Sequence, residues 1–175
     1  MTTTDPTTVA SVVQTAEKDD QNDQGQLSQP AANAAGSPEL SSAKIKLFEA
    51  LRHFLDFPVP GIDFIDILPL FADPAIHATL IGALELQLLE AFETKPDVIV
   101  GLDARGFLFG PGLALKLGVG FAPVRKRGKL PGPCETASFS KEYGEDYFQI
   151  QTGAVKPGQN ALVVDDIIAT GRSRP

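Results

Sequence analysis

In the second half of the chain, short apolar runs alternate with helical patterns, and this alternation limits the possible folds more than any other feature. Residues 98–102 form a β-branched run that ends at Asp103, residues 105–117 have a helical pattern, and residues 119–126 form a second run. A third run, residues 161–164, is followed by two acids. Strands buried on both faces and separated by helices are typical of a parallel sheet covered by helices. We therefore predict an α/β fold.

The first forty residues differ in composition from the rest. They are rich in Thr, Ser, Gln, Asn, Ala and Asp, contain no aromatic residue, and hold six acids but one base in a chain whose net charge is −7. Such a segment has too little apolar surface to offset the entropy of ordering. We predict a disordered tail over residues 1–40 and a single domain over residues 41–175.

Composition also argues against several classes of protein. Most of the negative charge lies in the tail and the remainder is close to neutral, so nucleic acid binding is not indicated. No run of about 18 apolar residues is present, which predicts no membrane span. The single cysteine, Cys134, cannot form an internal disulfide, and the amino terminus has neither a signal core nor a transit-peptide pattern. A cytoplasmic protein is expected.

Residues 41–54 are predicted to form a helix, with Ser41 as its cap and with Ile45 and Phe48 on its buried face. Two prolines and a glycine in residues 57–61 predict a loop.

A long helix is predicted from a cap at Asp73 to about residue 93. Residues 128–138 are rich in Gly and Pro and are expected to form a mobile loop. Residues 146–151 alternate polar and apolar side chains, which predicts a half-exposed strand of a hairpin.

The strongest chemical signal is the segment 163–171, in which a hydrophobic strand end is followed by Asp165 and Asp166, two hydrophobic residues, and small residues with a hydroxyl. In an open α/β sheet, ligands collect at the carboxyl ends of strands. A small-residue loop before a helix presents backbone N–H groups to a phosphate. Adjacent carboxylates can accept hydrogen bonds from vicinal ribose hydroxyls. A simple strand-to-helix turn with the acids as caps is the alternative.

This segment resembles the phosphoribosyl pyrophosphate signature of the type I phosphoribosyltransferases. Residues 101–110, 124–132 and 141–144 resemble motifs of the adenine phosphoribosyltransferase family in the same order, and residues 57–66 resemble its base-binding segment. The resemblance implies a type I phosphoribosyltransferase fold, with a parallel sheet flanked by helices and a small hood. It also implies purine salvage, in which phosphoribosyl pyrophosphate and adenine give AMP and pyrophosphate. A homodimer is a further implication.

The resemblance places the diphosphate at two segments. Asp103, Ala104 and Arg105 match the loop that holds pyrophosphate, and Arg105 is expected to bind phosphate bidentately and to act in catalysis. The alternative is a solvated arginine at a helix start, where the helix dipole disfavours a cation. The second segment matches the family's basic flexible loop, for which a solvated charged surface is the alternative. Its expected diphosphate-binding residues are Arg125, Lys126 and Lys129.

The remaining site residues are also implied by the resemblance. Glu142 matches a carboxylate close to the purine and is expected to supply or stabilise a proton at N7 as the N9–C1′ bond forms. An exposed turn glutamate is the alternative. Tyr143 matches an aromatic residue near the reaction centre. The expected ribose and 5′-phosphate ligands are Asp165, Asp166, Ala169, Thr170 and Gly171, and the expected adenine contacts are Ile62, Phe64 and Ile65.

Magnesium is implied because the diphosphate needs charge neutralisation. Mg²⁺ usually keeps several waters and binds through substrate phosphates, so no residue is assigned as a metal ligand. Some relatives carry arginine where this chain has Ile65. Adenine selectivity would then depend on backbone groups and neighbouring aliphatic side chains.

The last four residues depart from the family pattern. After Gly171 the family continues with a second glycine and a hydroxyl residue into a helix, whereas this chain continues from Arg172 to Pro175. We expect the domain to be incomplete, poorly folded and nearly inactive as written. A noncatalytic nucleotide-binding regulatory module, or an inactive truncated isoform, is therefore the alternative function.

Overall fold

In the computed structural model, the residues described are 37–141 and 144–167. The helices are α1 (Pro38–Ala50), α2 (Pro69–Ala72), α3 (Pro74–Ala91) and α4 (Gly106–Leu117). The strands are β1 (Arg52–Leu55), β2 (Asp63–Asp66), β3 (Val98–Leu102), β4 (Gly120–Lys126), β5 (Cys134–Lys141), β6 (Gly144–Gln151) and β7 (Ala161–Val164).

Five of these strands form one mixed sheet. Its order is β5-β6-β4-β3-β7, in which β3 pairs in parallel with both β4 and β7, and β6 pairs antiparallel with β4 and β5. Strands β1 and β2 form a separate antiparallel pair. The prediction of an α/β fold with parallel strands flanked by helices is confirmed, and the hairpin β5–β6 extends the sheet on the β4 side.

The core lies mainly between the parallel strands and helices α3 and α4. Ile99 in β3 is fully buried and belongs to one cluster with Leu88 of α3 and Leu113 of α4. Its neighbours Val98 and Val100 belong to a second cluster, because successive residues in a strand point to opposite faces. Burial on both faces explains why the sequence of β3 is continuously apolar.

Helix α3 begins where the sequence predicts. The carboxylate of Asp73 accepts hydrogen bonds from the N–H groups of Ala75 (2.7 Å) and Ile76 (3.2 Å) and so caps the helix. The helix ends at Ala91, slightly before the predicted end. Helix α4 and strands β3, β4 and β7 also agree closely with their predictions.

The first helix differs from its prediction at both ends. It begins at Pro38 with Ser37 as its cap, and the Ser37 hydroxyl accepts a hydrogen bond from the N–H of Leu40 (3.3 Å), so the cap predicted at Ser41 is wrong. Pro is favoured in a first helical turn, because its missing N–H needs no partner there. The helix ends at Ala50, and the chain continues into β1 instead.

The predicted buried face of α1 is also wrong, since Ile45 and Phe48 are both exposed. This helix packs on α3 mainly through its first turns. Leu40 is buried, and the N–H of Ser37 donates to a side-chain oxygen of Glu90 in α3 (2.9 Å). The folded part of the chain therefore starts before residue 41.

The loop predicted over residues 128–138 is shorter in the structure. Strand β5 pairs along its length with β6, from Cys134 opposite Gln151 to Lys141 opposite Gly144, so the prediction of a loop at residues 134–138 is wrong. The strand predicted at residues 146–151 supplies the partner that converts this segment into a strand. None of the helices within the described ranges is both long and apolar enough to cross a membrane.

Candidate active site

The carboxyl ends of β3, β4 and β7 lie at one edge of the sheet, where the sequence predicts the diphosphate and ribose ligands. Strand β3 is followed by Asp103, Ala104 and Arg105, which lead directly into α4. The N–H of Asp103 donates to the carbonyl oxygen of Val124 in β4 (3.0 Å), and the Asp103–Ala104 peptide bond is cis. The start of the expected pyrophosphate loop is thus fixed against β4.

Three glycines let α4 approach this edge closely. A Cβ atom on Gly106 would lie 2.5 Å from the carbonyl oxygen of Val164 at the end of β7. Cβ atoms on Gly101 and Gly110 would each lie 2.6 Å from the ring of Phe121 in β4. Side chains at these positions would force the helix and strands apart. The glycines therefore hold the start of α4 beside the acids that follow β7.

Arg105 forms an ion pair with Asp166, so a residue expected to bind diphosphate meets a residue expected to bind ribose. The contact joins the arginine Nε to Oδ2 of the aspartate. The side chain of Arg105 is 47% exposed, whereas that of Asp166 is 8% exposed. The other carboxylate oxygen, Oδ1, is buried and has no hydrogen-bond partner among the described residues. Because a buried unpaired acceptor is costly, a ligand hydroxyl that donates to it would be stabilised.

Asp165 lies next to this pair and is half-buried. Its Oδ1 accepts a hydrogen bond from the N–H of Asp166 (3.0 Å). Burial raises the pKa of Asp165 to about 6, and the neighbouring charge of Asp166 acts in the same direction. Above this pH the carboxylate is ionised and can accept hydrogen bonds from ribose hydroxyls.

The basic residues lie at the end of β4 and in the turn after it. The Nε of Arg125 donates to Oδ2 of Asp103 (2.8 Å), and its Nη1 donates to the carbonyl oxygen of Lys129 (3.2 Å). The Nζ of Lys126 lies 3.8 Å from Oδ2 of Asp146 in β6. The structure therefore brings Asp103, Arg125 and Lys129 together and turns Lys126 towards the hairpin.

The residues expected to contact adenine lie on the separate β1–β2 pair. Phe64 and Ile65 are in β2, and Ile62 directly precedes it. Phe64 packs edge to face on Phe57, with ring centroids 5.2 Å apart. Successive residues in a strand point to opposite faces, so Phe64 and Ile65 cannot both present side chains to one base. A purine on the Phe64 face would meet Ile65 through its backbone.

Sequence reasoning missed two polar anchors. Asp66 is buried at the end of β2, where it pairs with Arg52 (2.7 Å) and accepts a hydrogen bond from the N–H of Leu68 (2.9 Å). The Leu68 N–H, with Arg52, holds the pKa of Asp66 below its usual range. Gln149 in β6 binds the turn after β4. The alternation of polar and apolar residues in β6 indicated that Gln149 lies on the polar face of a strand. This pattern does not reveal which loop that polar face contacts.

Five of the expected site residues lie outside the described ranges. They are the proposed acid–base residue, the aromatic residue that follows it in the sequence, and three residues expected to bind the 5′-phosphate. The structure describes the chain up to each of these segments. The residues are Glu142, Tyr143, Ala169, Thr170 and Gly171.

Comparison with known proteins identifies close relatives. Residues 72–173 match the phosphoribosyl transferase domain family. The chain is 57% identical over 135 residues to the adenine phosphoribosyltransferase of Yarrowia lipolytica, and these residues make up 77% of this chain and 74% of the relative. It is 58% identical over 125 residues to adenine phosphoribosyltransferase 1 of Saccharomyces cerevisiae, and these residues make up 71% of this chain and 67% of the relative.

Solved structures agree with these sequence matches. The crystal structure of the Saccharomyces cerevisiae enzyme, in complex with an imino-altritol bisphosphate and adenine, superposes with a TM-score of 0.71 at 56% identity and covers 76% of each chain. The chain therefore has the type I phosphoribosyltransferase fold and belongs to the adenine phosphoribosyltransferase family of purine-salvage enzymes.

Proposed function

We propose that the chain transfers the phosphoribosyl group of phosphoribosyl pyrophosphate to adenine at the edge formed by the ends of β3, β4 and β7. The meeting of Arg105 and Asp166 carries this proposal. Arg105 supplies a half-exposed guanidinium. Asp166 supplies a buried carboxylate, one oxygen of which has no hydrogen-bond partner in the part of the chain that the structure describes. A substrate that carries a diphosphate on a ribose would engage both groups at once.

We infer that Arg105 exchanges partners when the substrate binds. Its Nε contacts Asp166, so a diphosphate that takes this nitrogen competes with that carboxylate. When the diphosphate takes the arginine, Oδ2 of Asp166 becomes an additional acceptor for the ribose hydroxyls. Each half of the substrate thereby helps the other half to bind. Asp165 supplies a further acceptor, and residues 169–171 are proposed to bind the 5′-phosphate through backbone N–H groups.

The cations at the end of β4 and in the turn after it complete the proposed diphosphate site. Asp103 anchors Arg125 in position, and Lys129 is proposed to approach the leaving group. Lys126 would have to leave Asp146 to do the same. In the reaction, the bond from C1′ to the diphosphate oxygen breaks and the bond from adenine N9 to C1′ forms. The electron pair leaves with the diphosphate, and adenine gives up one proton. Catalysis is therefore largely positioning and stabilisation of developing negative charge.

We also propose that Mg²⁺ accompanies the diphosphate. The donor set fits this arrangement, because the carboxylate of Asp103 is engaged by Arg125 and that of Asp166 is proposed to bind the ribose hydroxyls. The ion would take its oxygen ligands from the diphosphate and water rather than from a protein cage. Its contribution there is to neutralise charge on the leaving group.

Adenine is proposed to lie against the β1–β2 pair, and the structure of the Saccharomyces cerevisiae relative contains adenine. The Phe64 face of β2 supplies the apolar surface, and the backbone near Ile65 supplies hydrogen-bonding groups. Glu142 is proposed to supply or stabilise the proton at N7 of the purine as the N9–C1′ bond forms.

Turnover of labelled adenine with phosphoribosyl pyrophosphate and Mg²⁺ tests the proposed function. With a form of the chain that continues after Gly171 as the family does, we expect AMP to form, with adenine preferred over hypoxanthine and guanine. Arg105→Ala should weaken binding of phosphoribosyl pyrophosphate by about tenfold and leave adenine binding nearly unchanged, because the lost contact is to phosphate. Binding without AMP formation would instead support the noncatalytic module, and efficient use of hypoxanthine would contradict the assigned base.

The family resemblance also supports a homodimer in the cytoplasm, which we propose for this chain. Exposed apolar side chains concentrate on α1, β1 and the following loop, and such patches often mark protein interfaces. Sedimentation velocity would measure the mass in solution, and a monomer at micromolar concentration would contradict the dimer. The exposed side chains include Phe48, Leu55, Phe57 and Val59.

A further inference from the structure

One face of β6 holds the loop that joins β4 to β5. Tyr147, Gln149 and Gln151 are two residues apart and therefore share this face. Each contacts a successive point of residues 127–133. The contacts are the Arg127 guanidinium over the Tyr147 ring (5.3 Å to the centroid), the N–H of Gly128 to Oε1 of Gln149 (2.8 Å), and Nε2 of Gln151 to the carbonyl oxygen of Pro131 (3.1 Å).

Gln149 is the central contact of this series. Its backbone lies opposite Arg125 of β4 on one side and opposite Thr136 of β5 on the other. Its Oε1 accepts from Gly128, while its Nε2 donates to the hydroxyl of Thr136 (3.1 Å). A single side chain thus joins the turn after β4 to the strand that follows the turn.

The contact continues from Gly128 towards the diphosphate site. Gly128 has a φ of +79°, a backbone conformation in which glycine is favoured, and Lys129 follows it directly. The carbonyl oxygen of Lys129 accepts from Arg125, and Arg125 also binds Asp103. These hydrogen bonds, together with the backbone segment from Gly128 to Lys129, therefore connect Gln149 to Asp103, the first residue of the expected pyrophosphate loop.

We propose that Gln149 is a positioning residue for the transfer reaction, and this inference rests on the proposed function. Gln149 does not contact the substrate in this proposal. It fixes the turn at Gly128, so that Lys129 and Arg125 are held in place for the diphosphate before it binds. Charges fixed in advance bind an anion at a lower entropic cost than charges on a loop that must first be ordered.

Gln149→Leu tests this role, because leucine has similar size and makes neither hydrogen bond. Gln159→Leu is the matched control. The Oε1 of Gln159 accepts from the N–H of Lys156 (2.8 Å) and closes a turn in the same way, at residues 156–159 away from the sheet edge. Thr136→Val removes the second contact of Gln149 and keeps its bond to Gly128. Calorimetry would measure the Kd of inorganic pyrophosphate with Mg²⁺, and kinetics would measure KM for each substrate.

We expect Gln149→Leu to raise the pyrophosphate Kd and the KM for phosphoribosyl pyrophosphate by about three- to tenfold, with the KM for adenine nearly unchanged. Thr136→Val should have a smaller effect of the same kind, and Gln159→Leu should leave all three constants unchanged. Two outcomes would overturn this inference and leave the proposed function intact. One is an equal effect of Gln149→Leu and Gln159→Leu, and the other is no effect of Gln149→Leu on a chain that binds pyrophosphate. Failure of the unsubstituted chain to bind pyrophosphate would overturn the proposed function, and this inference with it.

Discussion

Three cations of the proposed diphosphate site have carboxylate partners in the structure, and this pairing would affect how a diphosphate binds. An ion pair within the protein lowers the net charge that an incoming anion meets, but it also keeps the cation in one position. In the proposed reaction, binding exchanges a carboxylate for a phosphate rather than capturing an arginine or lysine that has no partner. The pairs are Arg105 with Asp166, Arg125 with Asp103, and Lys126 with Asp146.

Substitution of Asp166 should show this exchange directly. Asp166→Asn removes the competing charge and releases Arg105, so we expect inorganic pyrophosphate to bind about fivefold more tightly, as expected for loss of a competing contact of about 1 kcal/mol. Phosphoribosyl pyrophosphate should not gain in the same way, because its ribose loses an acceptor. Isothermal titration calorimetry with both ligands measures the two effects.

Asp165→Asn is the control for net charge, since it removes one negative charge beside the site without removing the arginine partner. We expect it to tighten pyrophosphate binding far less than Asp166→Asn does. In an Arg105→Ala background the effect of Asp166→Asn should disappear. Equal gains from the two asparagine variants would show that general electrostatics, and not the ion pair, limits binding.

Asp165 gives the site a pH dependence of known sign. Its pKa of about 6 lies above the ordinary 3.8, so the folded chain binds the proton more tightly than the unfolded chain does. Asp165 therefore favours the folded state most below the ordinary pKa, and this contribution is lost as the pH rises to about 6. Ribose binding has the opposite sign, because the carboxylate is the acceptor. We expect the affinity for phosphoribosyl pyrophosphate to rise through about pH 6 and then level off.

Phosphates titrate in the same range, with a second pKa of about 6, so the comparison with Asp165→Asn is essential. Calorimetric titrations from about pH 5 to about pH 8 on both chains would separate the two sources. The difference between the two curves should contain a step near the pKa of Asp165. Parallel curves would show that its ionisation does not affect binding.

The position of α4 matters for the proposed site, because Arg105, which directly precedes this helix, forms an ion pair with Asp166. Gly106→Ala would place a Cβ 2.5 Å from the carbonyl oxygen of Val164. We expect a loss of about 1–3 kcal/mol in the free energy of unfolding, as for other overpacked sites, together with weaker pyrophosphate binding. Thermal and urea denaturation measure the first effect, and calorimetry measures the second.

Gly82→Ala in α3 is the matched comparison, since a Cβ there would have no atom within 4 Å. That variant should be stabilised by about 0.5–1 kcal/mol, because alanine has less backbone freedom to lose. A Gly106→Ala chain that behaves in the same way would contradict the close approach of α4 to β7.

The sequence predicted the elements whose signal is local. Helix α3 has its cap at Asp73, and β3 and β7 have buried apolar runs, so their positions followed from short segments. The start of the first helix was predicted wrongly because several serines near it can act as caps. Ser37 is the cap in the structure, and its N–H is also bound by Glu90 of α3, which is distant in sequence. Strand β5 was missed because it forms by pairing with β6. The local sequence, rich in Gly and Pro just before β5, does not reveal that pairing.

For the whole molecule, the edge of the sheet at which the site is expected stays a prediction. The resemblance predicted the family and the fold, and the comparisons confirm both. It could not predict that Arg105 pairs with Asp166 or that Phe64 and Ile65 point to opposite faces, because such relations depend on three-dimensional packing. The expectation of a poorly folded, nearly inactive chain concerns residues after 167 and stays a prediction. Cooperative melting and AMP formation would test it.

The packing of Phe121 against two glycines also gives the site a natural spectroscopic label. One Cα hydrogen of Gly101 and one of Gly110 point towards the ring of Phe121, whose circulating electrons shift the nuclear magnetic resonance frequencies of nearby protons. These two glycine signals should therefore fall outside the crowded part of the proton spectrum. Gly101 lies just before the pyrophosphate loop and Gly110 lies in α4 just after it. Movement of that loop during titration with a substrate could thus be followed residue by residue, without any attached probe.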